Sequence, residues 1–423
     1  MTGSILEPSI KNLLSVLCPS TPESLQTALS RITDTDWENI VNLSKRQGLT
    51  PILYKRLKEI SDRFEIPAEI IEITKNYYLS NIVRNVRIQH NLGRILKLFN
   101  ETGIEAIVLK GAYLSEAVYG NIALRTMSDI DILVKSSDIS QAEQLILSLG
   151  YITHSQNRQI GNKHFVYERP HDSTPLELHW HIVTPVIPVN INIQDIWDRA
   201  CQTEVKGIRR LVQSPEDLLI HICFHAAFTH TFNQFGLRSL WDVKVILKHF
   251  AGRLNWEQVR ETASDWRVGK SVYFTLVIAE EVLNMRMPDG VLKIFRDSCS
   301  IEVNKVLLLE AEHIRTAIEQ IQCTDLEFNR NLSLFWCSEN IVGSARILLK
   351  RIIPSVSEMR KMYSLKSHTV IVYLYYFTRV WSLFRRYWKT FTLLLRSDPK
   401  TIEKARSEKR RHSMQEWMIE EIT

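Results

Sequence analysis

From Ile104 the apolar residues of this chain change period, from the three-and-four spacing of helices to the alternation of strands, and that change decides where a sheet can form. Before it, IKNLLSVL, WENIVNLSKRQGL and NLGRILKLFN each place apolar residues on one helical face, and Pro51 and Pro67 fall near helix starts. After it, EAIVLK reads as a strand, AYLSEAVYG as a helix closed by Gly120, and DIDILV as a second, half-buried strand. SDISQAEQLILSLG then reads as a helix capped by Ser137 or Asp138 and stopped at Gly150. Beyond Gly161, KHFVYER and TPLELHWHI are two further strands across a Pro170-His171-Asp172-Ser173 turn. The order β-α-β-α-β-β predicts a small mixed sheet inside a helical chain, an α+β fold. Helices return at SPEDLLIHICFHAAF, with Ser214 as N-cap, Pro215 in the first turn, and Glu216 and Asp217 at the end the helix dipole favours.

The expected organisation is a helical region over 1–100, the α/β core over 101–190, a helical region over 191–345 that packs beside the core, and a basic, aromatic-rich helical region over 346–423 with a charged tail. At 423 residues there is room for two or three domains, and 45% hydrophobic with 24% charged residues is ordinary globular composition. Cys18, Cys201, Cys223, Cys299, Cys323 and Cys337 form no C-x-x-C pair and no zinc-ligand spacing, which points to reduced thiols in a cytosol. MTGSILEPSIKNLL has no basic stretch followed by a continuous apolar core, so no signal peptide is expected and the expected location is the cytoplasm.

A net charge of +6 is too mild to imply nucleic-acid binding by itself. Basic residues nevertheless crowd the C-terminal part, from Arg346 and Lys350 to KARSEKRRH, an end suited to an acidic partner. The stretch from Arg396 is charged and poor in apolar residues, which predicts partial disorder. Within residues 370–395, Arg379, Arg385, Arg386 and Lys389 exclude a membrane-spanning helix. Trp381, Phe384 and Trp388 at helical spacing leave three readings open: a core or partner-binding helix, an interfacial helix on anionic lipid, or stacking on RNA.

Asp129 and Asp131 stand two apart in DIDILV and so share one face of the strand. Two carboxylates side by side with nothing basic between them repel unless a divalent cation bridges them, and the segment predicts a magnesium site. The plainer reading is a pair of solvated surface aspartates. Lys110 and Gly111 follow a strand, where a residue without Cβ lets backbone N–H groups approach a phosphate. The plainer reading of Lys110 is a cap on a surface turn.

LKGAYLSEAVYG, followed by Arg125, SDIDILV and LELHWHI, resembles a poorly characterised bacterial nucleotidyltransferase family within the superfamily that includes DNA polymerase β. The resemblance extends more weakly into the flanking helices, through SPEDLLIHICFHAAFTHTF and LRSLWDVKVIL. It implies a polymerase β-like nucleotidyltransferase core that uses a nucleoside triphosphate such as ATP, with two magnesium ions, to move a nucleoside monophosphate onto a hydroxyl. Asp129 and Asp131 would bridge the ions, and Glu177 in LELHW would be the third carboxylate. The superfamily more often has aspartate there, and Ala112 stands where it commonly places glycine or serine. Lys110, Gly111, Arg125 and Ser128 would meet the phosphates, with Arg125 serving either a phosphate or a salt bridge that holds the metal site. The acceptor would be a small molecule, sugar or peptide; AMP transfer to a protein, or nucleotide binding without catalysis, are the alternatives.

Histidines leave further choices. Alternation puts His179 on the face of Glu177, and His164 can approach from the neighbouring strand, so a role behind the metal or beside the acceptor fits both. His181 is open to the same reading. His221 and His225 lie four apart on one helix, with His230 beyond, but HICFH lacks the glutamate of a zinc protease, leaving packing or acceptor binding. Arg238 and Asp242, also four apart, read as a helix-face ion pair or as lining of the acceptor pocket.

Overall fold

The computed structural model describes residues 6–153, 163–170, 174–184, 187–233 and 235–298, with shorter pieces at 316–317, 321, 356, 359, 375–381, 385 and 399–419. Most of the 370–395 segment, Phe384 and Trp388 included, lies outside the described residues, as do Cys299, Cys323, Cys337 and the His171–Ser173 part of the turn. The chain divides into a larger unit, residues 1–322 with 418–423, and a smaller one, residues 323–417.

The larger unit begins with helices α1 (Pro8–Leu17), α2 (Pro22–Leu29), α3 (Asp34–Arg46) and α4 (Thr50–Ile60), then a long helix α5 (Ala68–Glu101). Reciprocal caps start α2 and α3: the Thr21 hydroxyl accepts from Ser24 N at 3.1 Å, and Thr33 N donates to Asp36 Oδ2 at 3.0 Å. Six strands follow: β1 (Ala106–Val108), β2 (Ile130–Val134), β3 (His164–Tyr167), β4 (Leu176–His179), β5 (Cys201–Val205) and β6 (Ile208–Val212). Their order across the sheet is β3-β4-β2-β1-β6-β5. β1 runs antiparallel to β2 and parallel to β6, β2 is parallel to β4, and the outer pairs are antiparallel. The fold is α+β with a mixed sheet.

The four expected strands form where alternation placed them. The β5–β6 hairpin was not foreseen, and it completes the sheet beside β1. Its turn, Lys206-Gly207, has φ of 50° and 77°, the double left-handed geometry of a two-residue hairpin. β2 also differs from a half-buried strand, since all five of its residues are buried. Ile130, Ile132 and Val134 join Ala106, Val108, Leu176 and Leu178 in the core under Leu92, Leu96 and Phe99 of α5. Helix α7 (Ile139–Ser148) adds Ala142 and Ile146 to that core. Asp138 occupies its N-cap position without a side-chain cap bond.

The other face of the sheet carries Asp131, Glu177 and His179, and helical segments from later in the chain meet it. These begin with α9 (Pro215–Phe224), after the short α8 (Ile193–Asp198), and continue through a π-helical turn, His225–Thr229, to α10 (Gly236–His249). The expected cap is present, with the Ser214 hydroxyl accepting from Asp217 N at 3.1 Å. In the smaller unit Phe377 and Trp381 are exposed. The expectation of disorder beyond Arg396 is corrected: Pro399–Ile419 is a helix, carrying the ion pairs Glu408–Arg411 and Glu416–His412 at helical spacing. Such pairs support a helix that has little apolar surface of its own. Among the described residues no helix is long and apolar enough to cross a membrane.

Candidate active site

Strand register gathers the acidic residues. β2 and β4 are parallel with Asp131 beside Glu177, so these two carboxylates and His179 project from the same face of adjacent strands. Across the antiparallel β3–β4 pair His164 stands opposite His179, on that face too. His179, fully buried, places Nε2 at 2.9 Å from Asp131 Oδ1 and 3.2 Å from Glu177 Oε2. His164 Nε2 lies 3.7 Å from Glu177 Oε2. Asp129 precedes β2 with the parity of Asp131 and is partly exposed, and Ser128, which hydrogen-bonds to it, is exposed.

The charges are unevenly shared. Burial, then the neighbouring Asp131 and Glu177 carboxylates, push Asp129 up to about 6 despite Lys110 and Ser128. For Asp131 burial acts the same way, but the Lys110 ammonium and the His179 hydrogen bond outweigh it and hold the group well below the usual carboxylate range. A carboxylate held up by its acidic neighbours is one that an added cation would relieve. The oxygen donors of Asp129, Asp131 and Glu177 are the type a magnesium ion takes, so their chemistry fits that ion, although the three are not among the described groups whose ligand atoms lie within 4.8 Å of one another.

Lys110 is separated from the end of β1 by Leu109 alone, stands at the first residue of the short helix α6 (Lys110–Tyr113), and its φ is 33°. A lysine in the left-handed region is strained by roughly 1–3 kcal/mol. Its ammonium reaches across the sheet end, 3.7 Å from Asp131 Oδ2 and 3.3 Å from His225 Nε2. Lys110 is therefore no surface cap: it is buried among the site residues. Burial and then the Lys110 charge hold His225 well below the ordinary histidine range, so its ring is neutral and Nε2 accepts from the ammonium.

Gly111 serves a side chain. A Cβ there would meet Arg125 Nη1 at 3.0 Å, tight enough to force the guanidinium aside. Arg125 in turn is bidentate to Asp242 of α10, Nε to Oδ1 and Nη2 to Oδ2 both at 2.8 Å, and Tyr119 Oη donates to the same carboxylate at 2.7 Å. Of the two roles expected for Arg125, the geometry supplies the salt bridge. The helix-face pair expected of Arg238 and Asp242 is corrected, because Arg125 takes the Asp242 carboxylate. Arg238 instead donates to the Thr126 carbonyl and hydroxyl, each at 3.3 Å, and packs 4.2 Å over the Phe235 ring.

The connection to β2 is fixed from beneath by α5. The Asn81 amide donates to the Ala123 carbonyl at 2.7 Å, and that of Asn85 to the Ile122 and Arg125 carbonyls at 2.5 and 2.8 Å. Ala112 faces the core under α5. His181 is spent on backbone: Nδ1 accepts from Val183 N at 3.1 Å, and Nε2 lies 3.1 Å from the Ile191 carbonyl. Sequence reasoning missed Lys163, beside His164. Burial, then Lys110, lowers its ammonium to about 8, against the pull of Asp131 and Glu177. Its adjacency to His164 in NKHFVYER was the available signal.

His221, His225 and His230 do not converge as metal ligands. His221 Nδ1 lies 2.9 Å from Gln213 Oε1, and the His225 and His230 rings pack edge-on, centroids 4.4 Å apart. Among the described residues the metal-ligand group whose atoms come together, within 4.8 Å, is His164, Glu177 and His179.

A family described as uncharacterised nucleotidyltransferases matches residues 33–284. The chain belongs to that family, and it is a nucleotidyltransferase. No curated protein matches it. Similar solved structures include ANT(2″)-Ia in complex with adenylyl-2″-tobramycin, at 13% identity over 42% of this chain and 95% of that one, with a TM-score of 0.31. A nucleotidyltransferase-like protein from Paracoccidioides brasiliensis is similar at 14% identity over 49% of this chain and 95% of that one, with a TM-score of 0.30.

Proposed function

We infer that this enzyme transfers a nucleoside monophosphate from a nucleoside triphosphate to a hydroxyl on a small-molecule, sugar or peptide acceptor, with magnesium and with release of pyrophosphate. The observation that carries the reading is the placement of Lys110 against Asp131 at the end of three adjacent strands, with Glu177 registered beside Asp131 and Asp129 at the mouth. Bound magnesium would shield the phosphates and lower the pKa of the acceptor hydroxyl. Asp129, Asp131 and Glu177 would hold it. Lys110, directed by His225, presents its ammonium to the triphosphate, and exposed Ser128 adds a hydroxyl donor. Arg125 and Gly111 set the position of that turn without touching the substrate. The acceptor oxygen forms its bond to the α-phosphorus as the bond to pyrophosphate breaks, and its proton leaves to a carboxylate of the cluster. The reading places the enzyme in the cytoplasm.

The test is thermal stability with each of the four ribonucleoside triphosphates, with magnesium or chelator, for the wild type and Asp129→Ala. Asp129 is partly exposed and is no partner of Lys110 in a close ion pair, so its removal leaves the fold intact. A nucleotide at a hundredfold its dissociation constant adds about 2.7 kcal/mol. A magnesium-dependent shift, lost in Asp129→Ala, is expected. No shift with any nucleotide would remove the reading. A shift without pyrophosphate release towards any hydroxyl acceptor would instead favour nucleotide binding without turnover, and AMP mass on a co-purifying protein would move the acceptor to a side chain.

A further inference from the structure

We propose that a cavity between α1, α4 and α10 binds a small organic phosphate, a phosphate monoester with an apolar or aromatic body. The inference goes beyond the nucleotidyltransferase reading and does not depend on it. The cavity holds about 680 Å³, a size that takes small molecules. None of Lys110, Asp129, Asp131 and Glu177 lines it. Tyr119 does, and its hydroxyl donates to Asp242 at 2.7 Å, so the cavity backs on the Arg125–Asp242 pair rather than on the acidic strand ends.

Positive charge is what its lining has in excess. Lys55, Arg56, Lys244 and Lys248 share one carboxylate, that of Glu59, which lies 3.6 Å from Arg56. Arg56 also donates to the Val16 carbonyl at 3.2 Å, near the end of α1. The three lysines have no carboxylate partner among the described residues. Lys244 is the most telling of them. It is half-buried, 5.1 Å over the Trp241 ring, and its ammonium donates to Cys18 Sγ at 3.1 Å. Burial pushes that thiol up, against the pull of Lys244, so it stays protonated at neutral pH and supplies no counter-charge. A phosphate monoester carries nearly two negative charges at pH 7, where a carboxylate carries one, and lysines meet it as point charges. Ile52, Val118, Leu124 and the Trp241 indole complete a wall suited to an apolar body.

The experiment is alkylation of Cys18 by iodoacetamide in the full chain, read by peptide mass spectrometry with chelator present, against naphthyl phosphate, naphthol and inorganic phosphate. Cys201, exposed and outside the cavity, is the internal control. Naphthyl phosphate is expected to slow labelling of Cys18 and not of Cys201, at concentrations at least about tenfold below those at which naphthol or inorganic phosphate acts. In Lys244→Gln the protection, taken against that variant's own rate without ligand, is expected to weaken by about tenfold, the loss of one charge-assisted contact. Should the variant fold poorly, the three compounds compared on the wild type decide the matter. Equal protection by naphthol or by inorganic phosphate would overturn the proposal. So would the absence of protection by naphthyl phosphate at millimolar concentration, which would leave the three lysines as solvated side chains.

Discussion

Arg125 is held by a partner from far along the chain. Its guanidinium is sealed between Gly111 and Asp242, and burial, which alone would weaken its hold on a proton, is outweighed by the Asp242 carboxylate. Removing one partner of such a pair strands a buried charge, which typically costs 3–5 kcal/mol. Asp242→Asn is therefore expected to lower unfolding free energy by about that much in urea titrations, while the double variant Arg125→Met, Asp242→Asn recovers a substantial part. Independent losses adding in full would show that the pair does not act as a unit. The aspartate pair was legible because alternation within DIDILV is local. The Arg125–Asp242 pair was not, since its members are 117 positions apart and Arg238 offered Asp242 a nearer partner.

At the scale of elements, the segment from α9 into its π-helical turn stands over the sheet face and brings three neutral histidines with it. Burial, then the Lys110 charge, lowers His230 to about 4 and holds His221 and His225 well below their ordinary value. In the unfolded chain each would take a proton near 6.5. The unfolded state thus binds more protons below that value, and the stability these groups contribute, full above about 6.5, is lost as the pH falls towards 4. His230 alone accounts for up to about 3 kcal/mol of that loss. Melting curves from pH 7 to 4 should fall steeply for the wild type and less so for His230→Asn; equal slopes would count against the assignment. The strands β1 to β4 could be read from period two, and α9 from Ser214 and Pro215. The β5–β6 hairpin escaped because CQTEVKGIRRLV is mostly polar or basic and turns at Lys-Gly rather than the more telling Asn-Gly. The burial of β2 escaped for a different reason: the helices that cover its polar face lie far along the chain.

Across the larger unit, the site is assembled from segments distant in sequence. The start of α6 supplies Lys110, α5 anchors the 122–125 backbone, and later helices supply His225 and Asp242. A chain ended after residue 190 would keep both aspartates and Glu177 while losing β6, which pairs with β1, and both of those later partners. It is expected to lose the near-ultraviolet circular dichroism of a packed core and to be cut rapidly by protease; a protected fragment would show that the first four strands fold by themselves. The same connectivity sets a timetable on the ribosome. At roughly 5–20 residues per second, the 117 positions between Arg125 and Asp242 take on the order of ten seconds to synthesise. Throughout that interval the nascent chain carries Arg125 without Asp242, beside an unfinished sheet edge, so the turn that bears Lys110 reaches its folded geometry only after most of the family region has emerged.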